Sequence, residues 1–222
     1  MGRLAQTLGV LQQAFPTMAI VQYRSLHPNH VHQLMVTVSK HYYVSKDGLL
    51  KYQKKPFEIK LSDVKAEKRS HLLVFTIRDH FSGLFYAEVQ TGPELPDIYR
   101  FLRSAWSEKV HHPMQGLPEL MTIPKSVETS YPGLIENIDA LGIRLVEVSS
   151  GFQGGVRDIR TIEDSLAVAT DKTLEEVRKW LLASKKYIDN QKSRNGLDTK
   201  RELWNKEVRD VRQPPEIWPK DA

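Results

Sequence analysis

Hydrophobic positions in the first half of the chain follow the two-residue period of β-strands. This alternation predicts strands over 32–39, 41–45, 49–53 and 57–61. The turn residues Lys46, Asp47 and Gly48 predict a hairpin between the second and third of these strands.

One further strand pair differs because its first strand lacks alternation. Residues 72–78, LLVFTIR, form a nearly continuous apolar run, which is typical of a strand covered on both faces. The HFSG segment at 80–83 then turns the chain into a second strand over 84–89. We expect this pair to form the rigid centre of a sheet.

Hydrophobic positions in the second half follow the helical period instead. One face of a helix is formed by Ile98, Phe101, Leu102, Ala105 and Trp106. Further helices are predicted over 132–141, 158–169 and 173–190, and short strands over 118–123 and 143–148. Gly142 is the expected C-cap of the helix before it, and Thr173 with Glu176 forms a capping box for the last helix.

Both ends of the chain are expected to lie outside the main domain. Leu4, Leu8, Leu11 and Phe15 predict a short N-terminal helix that ends at Pro16. Everything after Pro214 is expected to be a loose tail.

Composition narrows the classes of function. The 222 residues contain no cysteine, which excludes a disulfide framework, an iron–sulfur cluster, a cysteine-containing zinc site and a thiol nucleophile. The lack of cysteine also favours a reducing, cytoplasmic location. No apolar run approaches the ~18 residues of a membrane span, and the N-terminal segment lacks the pattern of a signal peptide. A net charge of +5 permits binding to an anionic polymer.

Several segments, taken in order, resemble the catalytic core of retroviral-type integrases and their transposase relatives. HPNHVHQLMVT at 27–37 is similar to the opening strand of this family, and FTIRDHFSGLFYAEV at 75–89 to its second and third strands, including the Phe-Ser-Gly turn. The match continues through GLPELMTI (116–123), LGI (141–143), GGVRD (154–158) and YIDNQKSRNGLDTKRELWN (187–205).

The resemblance implies an α/β fold of the ribonuclease H-like class, with a mixed sheet of about five strands and helices on both faces. It also implies an N-terminal helix and linker over 1–26, an integrase-core-like domain over 27–190 and a C-terminal extension over 191–222. Because integrase-like cores commonly pair, a homodimer is expected.

The chemistry of this family needs three carboxylates around one or two Mg²⁺ ions, because hard cations prefer oxygen ligands. Two of the three matching positions carry none: Met35 occupies the first, and Pro124, followed by Lys125, occupies the second. Only Asp158 matches the third acid, where the family usually has a longer glutamate. We therefore expect no metal or other cofactor, and interpret the chain as a catalytically inactive relative.

A second register leaves an active enzyme open. Asp63 ends the segment FEIKLSD (57–63), and it lies 19 positions before Ser82, close to the interval between the first aspartate and the Phe-Ser-Gly turn in compact members of the family. Asp63 and Asp158, with Asp79 or Glu128 as a displaced third ligand, would then bind Mg²⁺ or Mn²⁺ in a polynucleotidyl transferase or nuclease. A lone aspartate in a polar loop is more often a solvated turn residue.

Histidine and glycine patterns add two further candidates. His27, His30 and His32 have a spacing that can ligate zinc, but surface or sheet-edge histidines are favoured. The glycines within 149–155 are expected to give mobility to a loop beside the site, because the segment lacks the Gly-Lys-Ser/Thr of a phosphate-binding loop.

Basic residues predict a DNA-binding surface. Lys172, Lys179 and Lys186 are spaced by seven, which places them on one stripe of the helix over 173–190. Lys185 is the fourth candidate for phosphate contact. A solvated helix face is the alternative interpretation.

These expectations favour an integrase-core-like protein of DNA integration or transposition that binds DNA or other recombination proteins without catalysis. One alternative is the active, metal-dependent enzyme that uses Asp63 and Asp158. The other is a dimeric, protein-binding scaffold without nucleic-acid contact. Salt-dependent DNA binding separates the first two from the third.

Overall fold

The structure is a computed structural model that describes residues 25–66, 70–146, 154–193, 195–209 and 211–218. The predicted N-terminal helix and most of the glycine-bearing loop over 149–155 lie outside these residues. The described chain forms a mixed six-stranded sheet with helices on both faces, which is the predicted α/β, ribonuclease H-like architecture.

The strands of the described residues are β1 (Val31–Val44), β2 (Leu50–Tyr52), β3 (Ser70–Asp79), β4 (Phe85–Thr91), β5 (Leu120–Thr122) and β6 (Arg144–Leu145). Their order in the sheet is β4-β3-β1-β5-β6, and β2 pairs with the far end of β1. Strands β1, β3 and β4 are antiparallel neighbours, whereas β5 and β6 run parallel to β1. The antiparallel and parallel halves therefore meet at β1.

The helices are α1 (Ile98–Trp106), α2 (Lys125–Ser130), α3 (Leu134–Ala140), α4 (Gly154–Leu166), α5 (Leu174–Asp189) and α6 (Lys200–Glu207), with 3₁₀ helices at Leu61–Ala66 and Ala167–Ala169. The predicted caps are present, since Gly142 has a left-handed φ of 70° and both bonds of the Thr173 capping box form. Helix α2 was not predicted, and α4 begins four residues earlier than expected.

Side chains alternate across the sheet and divide the core into two clusters. The α1 face holds Val36, Phe75 and Phe101 together with the 3₁₀ segment at Leu61–Ala66. The opposite side, here called the α4 face, packs residues of β3 and β4 against helices α4 and α5. The candidate acids can therefore be sorted by the face on which their elements pack.

Two strand predictions were wrong. Residues 57–61 do not form a strand: the Phe57 N–H donates to the carbonyl of Lys40 in β1 over 2.7 Å, and the chain then crosses over the sheet into the 3₁₀ helix. The alternating pattern arises because this segment half-buries its apolar side chains without edge pairing. The predicted central pair is also displaced, because β3 is internal whereas β4 is an edge strand.

The described part of the expected loose tail, residues 215–218, is a docked strap. Trp218 is fully buried and stacks on Trp106, with the ring centroids 5.9 Å apart and the planes 2° apart. The carbonyl of Arg212 accepts a hydrogen bond from the Leu117 N–H at 2.7 Å. A tryptophan supplies enough apolar surface to dock the segment on the α1 face.

Candidate functional site

The parallel pairing of β1 with β5 orients two of the matching positions. Gln33 is the register partner of Thr122, the last residue of β5. Met35 lies two residues further along β1, and Pro124 lies two residues beyond the end of β5. Met35 is a thioether, and Pro124 serves as the N-cap of α2 without a side-chain hydrogen bond, so neither side chain offers an oxygen ligand.

Helix α4 carries the third position and packs on the strand that carries the first. A Cβ atom built on Gly155 would lie 3.3 Å from the Cβ of Met35, so the backbone of α4 approaches β1 closely at a glycine. Asp158 lies about one turn further along α4. The first and third positions therefore lie on two elements that pack against each other.

Asp158 is held by an arginine. Nη1 of Arg78 in β3 donates to both carboxylate oxygens of Asp158, over 2.6 and 2.8 Å. Both side chains are buried, with 5% and 3% of the residue surface exposed. Burial raises the pKa of Asp158, and the adjacent guanidinium opposes this effect by stabilising the carboxylate. A positive charge is therefore already bound to the one carboxylate of the site.

A second buried ion pair, between Lys185 and Asp189, lies close enough to the first for Lys185 to stabilise the Asp158 carboxylate. Lys185 of α5 contacts Asp189 at 2.7 Å, and burial lowers the pKa of Lys185 to about 8. Nε2 of His112 lies 3.2 Å from the other oxygen of Asp189 and 3.1 Å from the carbonyl oxygen of Phe85. Lys185 was predicted to contact DNA, but its ammonium is directed into the protein and is absent from the helix surface.

The residues present do not fit Mg²⁺. This ion needs several fixed oxygen ligands, whereas Met35 and Pro124 offer none and both oxygens of Asp158 bind Arg78. A neighbouring cavity of about 390 Å³, bordered by β1, the first 3₁₀ helix and α2, has Lys60 and Lys125 among its described lining residues and no carboxylate. The electrostatic environment of this region disfavours a cation.

The alternative acids are separated from Asp158. Asp63 is exposed on the 3₁₀ helix, which packs on the α1 face, whereas α4 packs on the opposite face. Asp79 is buried and accepts hydrogen bonds from the N–H and hydroxyl of Ser82, so it fixes the Phe-Ser-Gly turn. Glu128 forms an exposed ion pair with Lys125 at 2.9 Å.

The three histidines do not form one cluster: the rings of His27 and His30 lie 5.3 Å apart, whereas His32 lies in the core. His32 is buried in the core and accepts a hydrogen bond from the indole of Trp106 at 3.1 Å, contrary to the expected surface or edge position. Burial lowers its pKa to about 3. His27 pairs with Glu119 at 3.1 Å. Within the described ranges, no group of three or more metal-binding side chains is arranged to hold an ion.

The predicted lysine stripe is present on the surface of α5 and the residue before its cap. Lys172, Lys179 and Lys186 are exposed, and Lys179 forms an i,i+4 ion pair with Glu175 at 2.8 Å. Trp180, next to Lys179 in sequence, has 43% of its surface exposed, and its indole N–H donates to the carbonyl of Ser165. The stripe is therefore accessible.

Sequence reasoning overlooked Arg78, the residue that defines the site. It is the only charged residue in the LLVFTIR run, and a charge within a buried strand requires a buried partner. The sequence therefore indicated that Arg78 has a buried partner. It did not indicate which residue, because Asp158 lies 80 positions away in sequence.

Comparison with known proteins identifies the fold. The chain matches no family model and no curated protein. Among solved structures, it is similar to a chain of the simian T-cell lymphotropic virus intasome in complex with PP2A regulatory subunit B56 gamma. The sequence identity is 12% and the TM-score is 0.57, and the match covers 96% of this chain and 71% of that chain.

Two structures of the HTLV-2 integrase catalytic core domain in complex with magnesium are also similar. The dimeric form has 16% identity over 82% of this chain and 99% of that chain, and the trimeric form 14% identity over 81% and 99%, both with a TM-score of 0.50. No helix in the described part of the chain is long and apolar enough to cross a membrane. The chain has the ribonuclease H-like fold of retroviral integrase catalytic cores.

Proposed function

We propose that this chain is an integrase-core-like protein of DNA integration or transposition that acts by binding, not by catalysis. Its first role is to hold duplex DNA, and other recombination proteins are the second class of partner. Under this proposal the chain needs no metal or other cofactor, and it works as a homodimer.

The observation that carries the proposal is the buried ion pair between Arg78 and Asp158. Two-metal catalysis requires several negative charges around two divalent cations. Here a guanidinium binds the one carboxylate at the site, and Met35 and Pro124 supply no charge. An arginine within a charge-assisted pair is a permanent cation that no change in pH removes.

The exposed stripe Lys172, Lys179 and Lys186 supports DNA as the partner. The three side chains project from one side of α5 and its preceding turn, at a spacing that follows a phosphate backbone. Trp180 and Tyr187, both partly exposed on the same helix, add aromatic surface beside the lysines. Aromatic rings among basic residues are typical of nucleic-acid-binding surfaces.

Two assays on the purified chain test the proposal. We expect duplex DNA to bind with an affinity that falls linearly on a logarithmic salt scale, and supercoiled plasmid to remain uncut in Mg²⁺ or Mn²⁺. Metal-dependent nicking that is lost in Asp63→Asn would instead support the active enzyme. Salt-independent or absent DNA binding would favour the protein-binding scaffold.

A further inference from the structure

A cavity of about 440 Å³ opens along the free edge of β4, between helices α1 and α5. It lies within the ~300–1,000 Å³ range of ligand pockets. Its walls carry Arg100 and Ser104 from α1, and Arg178, Leu181 and Leu182 from α5. His112 and Lys185, which contact Asp189, also line the cavity, and the proposed DNA-binding stripe contributes no lining residue.

The floor of the cavity is a strand edge with one open peptide position. The carbonyl of Phe85 accepts from Nε2 of His112 at 3.1 Å, and the carbonyl of Val89 accepts from Nε of Arg178 at 3.2 Å. Both carbonyls therefore point away from β3. Because backbone groups alternate in direction along a strand, the N–H and C=O of Ala87, midway between them, point the same way. They face the cavity.

The charges around this edge are unbalanced. Arg100 donates to the neutral amide oxygen of Gln90 at 3.3 Å, and Arg178 donates to a neutral carbonyl. Neither guanidinium forms an ion pair with any residue in the described ranges. The one acid of the lining, Glu88, already accepts from the Tyr86 hydroxyl at 2.7 Å and from Gln90 at 3.1 Å. Two arginines thus remain to attract an anion.

We propose that this cavity binds a short, extended, acidic peptide segment of a partner protein by adding it to the edge of β4. A peptide group supplies both the acceptor and the donor that Ala87 requires, whereas a phosphodiester supplies acceptors only. Consecutive side chains of a strand point to opposite faces. Two adjacent acidic residues would therefore meet Arg100 on one wall and Arg178 on the other, and an apolar neighbour would contact Leu181 and Leu182.

The inference goes beyond the proposed function and does not depend on DNA binding or on the loss of catalysis. The probe is a fluorescein-labelled pentapeptide, Ala-Glu-Glu-Val-Ala. The control peptide is Ala-Gln-Gln-Val-Ala, in which both acidic side chains are replaced by neutral amides. We expect saturable anisotropy for the acidic peptide. Arg178→Glu and Arg100→Glu should each weaken binding by at least about tenfold, since each replaces an attraction with a repulsion.

Ala87→Pro tests the strand pairing itself. Proline is tolerated where an edge-strand N–H faces solvent, and it removes the donor that the peptide would use. Arg160→Glu, on the exposed surface of α4 outside the cavity, is the control with the same charge change as Arg178→Glu. It should leave peptide affinity unchanged, and the melting temperature of each variant reports folding. If Ala87→Pro does not fold, Arg178→Gln provides the second test.

Three results would overturn the inference: no binding of the acidic peptide, equal binding of the Glu-Glu and Gln-Gln peptides, or equal losses in Arg160→Glu and Arg178→Glu. Sedimentation velocity adds a fourth. A dimer that Arg178→Glu and Ala87→Pro both convert to a monomer would show that a second copy of the chain occupies this edge.

Discussion

Arg78 and Asp158 lie on different elements, β3 and α4, and one guanidinium nitrogen of Arg78 bridges both oxygens of the Asp158 carboxylate. The carboxylate that the family resemblance assigns to a metal ion is thereby paired inside the protein. The positive charge of the Arg78 guanidinium neutralises the negative charge of the Asp158 carboxylate. The same pair links α4 to β3 of the sheet.

Removal of Arg78 should destabilise the fold. Arg78→Ala leaves the Asp158 carboxylate buried without its partner, which costs about 3–5 kcal/mol in the free energy of unfolding. The double variant Arg78→Ala with Asp158→Ala removes both charges and should lose less than the two single losses added together. Urea unfolding measures these values. Additive losses would show that the two side chains do not interact.

The C-terminal strap should contribute to stability. Trp218→Ala removes the ring that stacks on Trp106 and should lower the free energy of unfolding by about 3–5 kcal/mol. Ile217→Ala changes a neighbouring side chain that is 67% exposed and serves as the matched control. Thermal or urea melts of the two variants give the comparison. Equal stability of both variants would mean that the strap is undocked in solution.

The lysine stripe should set the salt dependence of DNA binding. Lys179→Glu with Lys186→Glu removes two phosphate contacts, so the slope of log K against log salt should flatten by about 1.8 for all duplex sequences alike. Fluorescence anisotropy at several salt concentrations provides the slope. The stripe would be a solvated helix face if the slope and affinity of this variant matched those of the wild type.

Acid should destabilise the fold through its buried histidines. Burial lowers the pKa of His112 to about 4 and that of His32 to about 3, so between about pH 6.5 and 4 the unfolded chain binds more protons than the folded chain. The free energy of unfolding therefore falls as the pH falls through this range. Asp79 acts in the opposite direction between about pH 6 and 4, because burial raises its pKa to about 6.

His112→Gln isolates one part of this pH dependence. The variant should lose less stability than the wild type between pH 7 and pH 4, with a difference of up to about 3 kcal/mol, since each pKa unit corresponds to about 1.4 kcal/mol. Urea unfolding at each pH measures the two profiles. Parallel profiles would show that His112 does not resist protonation in the folded protein.

Local patterns predicted most of the fold. The β3–β4 pair, the apolar face of α1 and the Thr173 capping box depend on residues close together in sequence, so periodicity and cap chemistry were sufficient. The 57–61 segment was wrongly predicted to be a strand. Alternation of apolar and polar residues indicates that one face of a segment is buried, but it does not indicate hydrogen-bonded pairing with another strand.

The candidate site was only partly predictable. Motif order identified Met35, Pro124 and Asp158, and the structure packs the helix of Asp158 against Met35. The pairing of Arg78 with Asp158 joins distant parts of the chain, as does the contact of His112 with Asp189. Contacts of this kind depend on how α4 and α5 pack on the sheet, which no local pattern contains.

Binding of Mn²⁺, followed by electron paramagnetic resonance of the free ion, shows whether the Asp158 site can hold a metal, because Mn²⁺ accepts the same oxygen ligands as Mg²⁺. The wild-type chain should leave Mn²⁺ free at all protein concentrations. Met35→Asp combined with Pro124→Asp should still bind poorly, and adding Arg78→Gln to that pair should produce binding, since it releases Asp158. Saturable binding of Mn²⁺ by the wild type that Asp158→Asn abolishes would show that Asp158 is a metal ligand despite its pairing with Arg78.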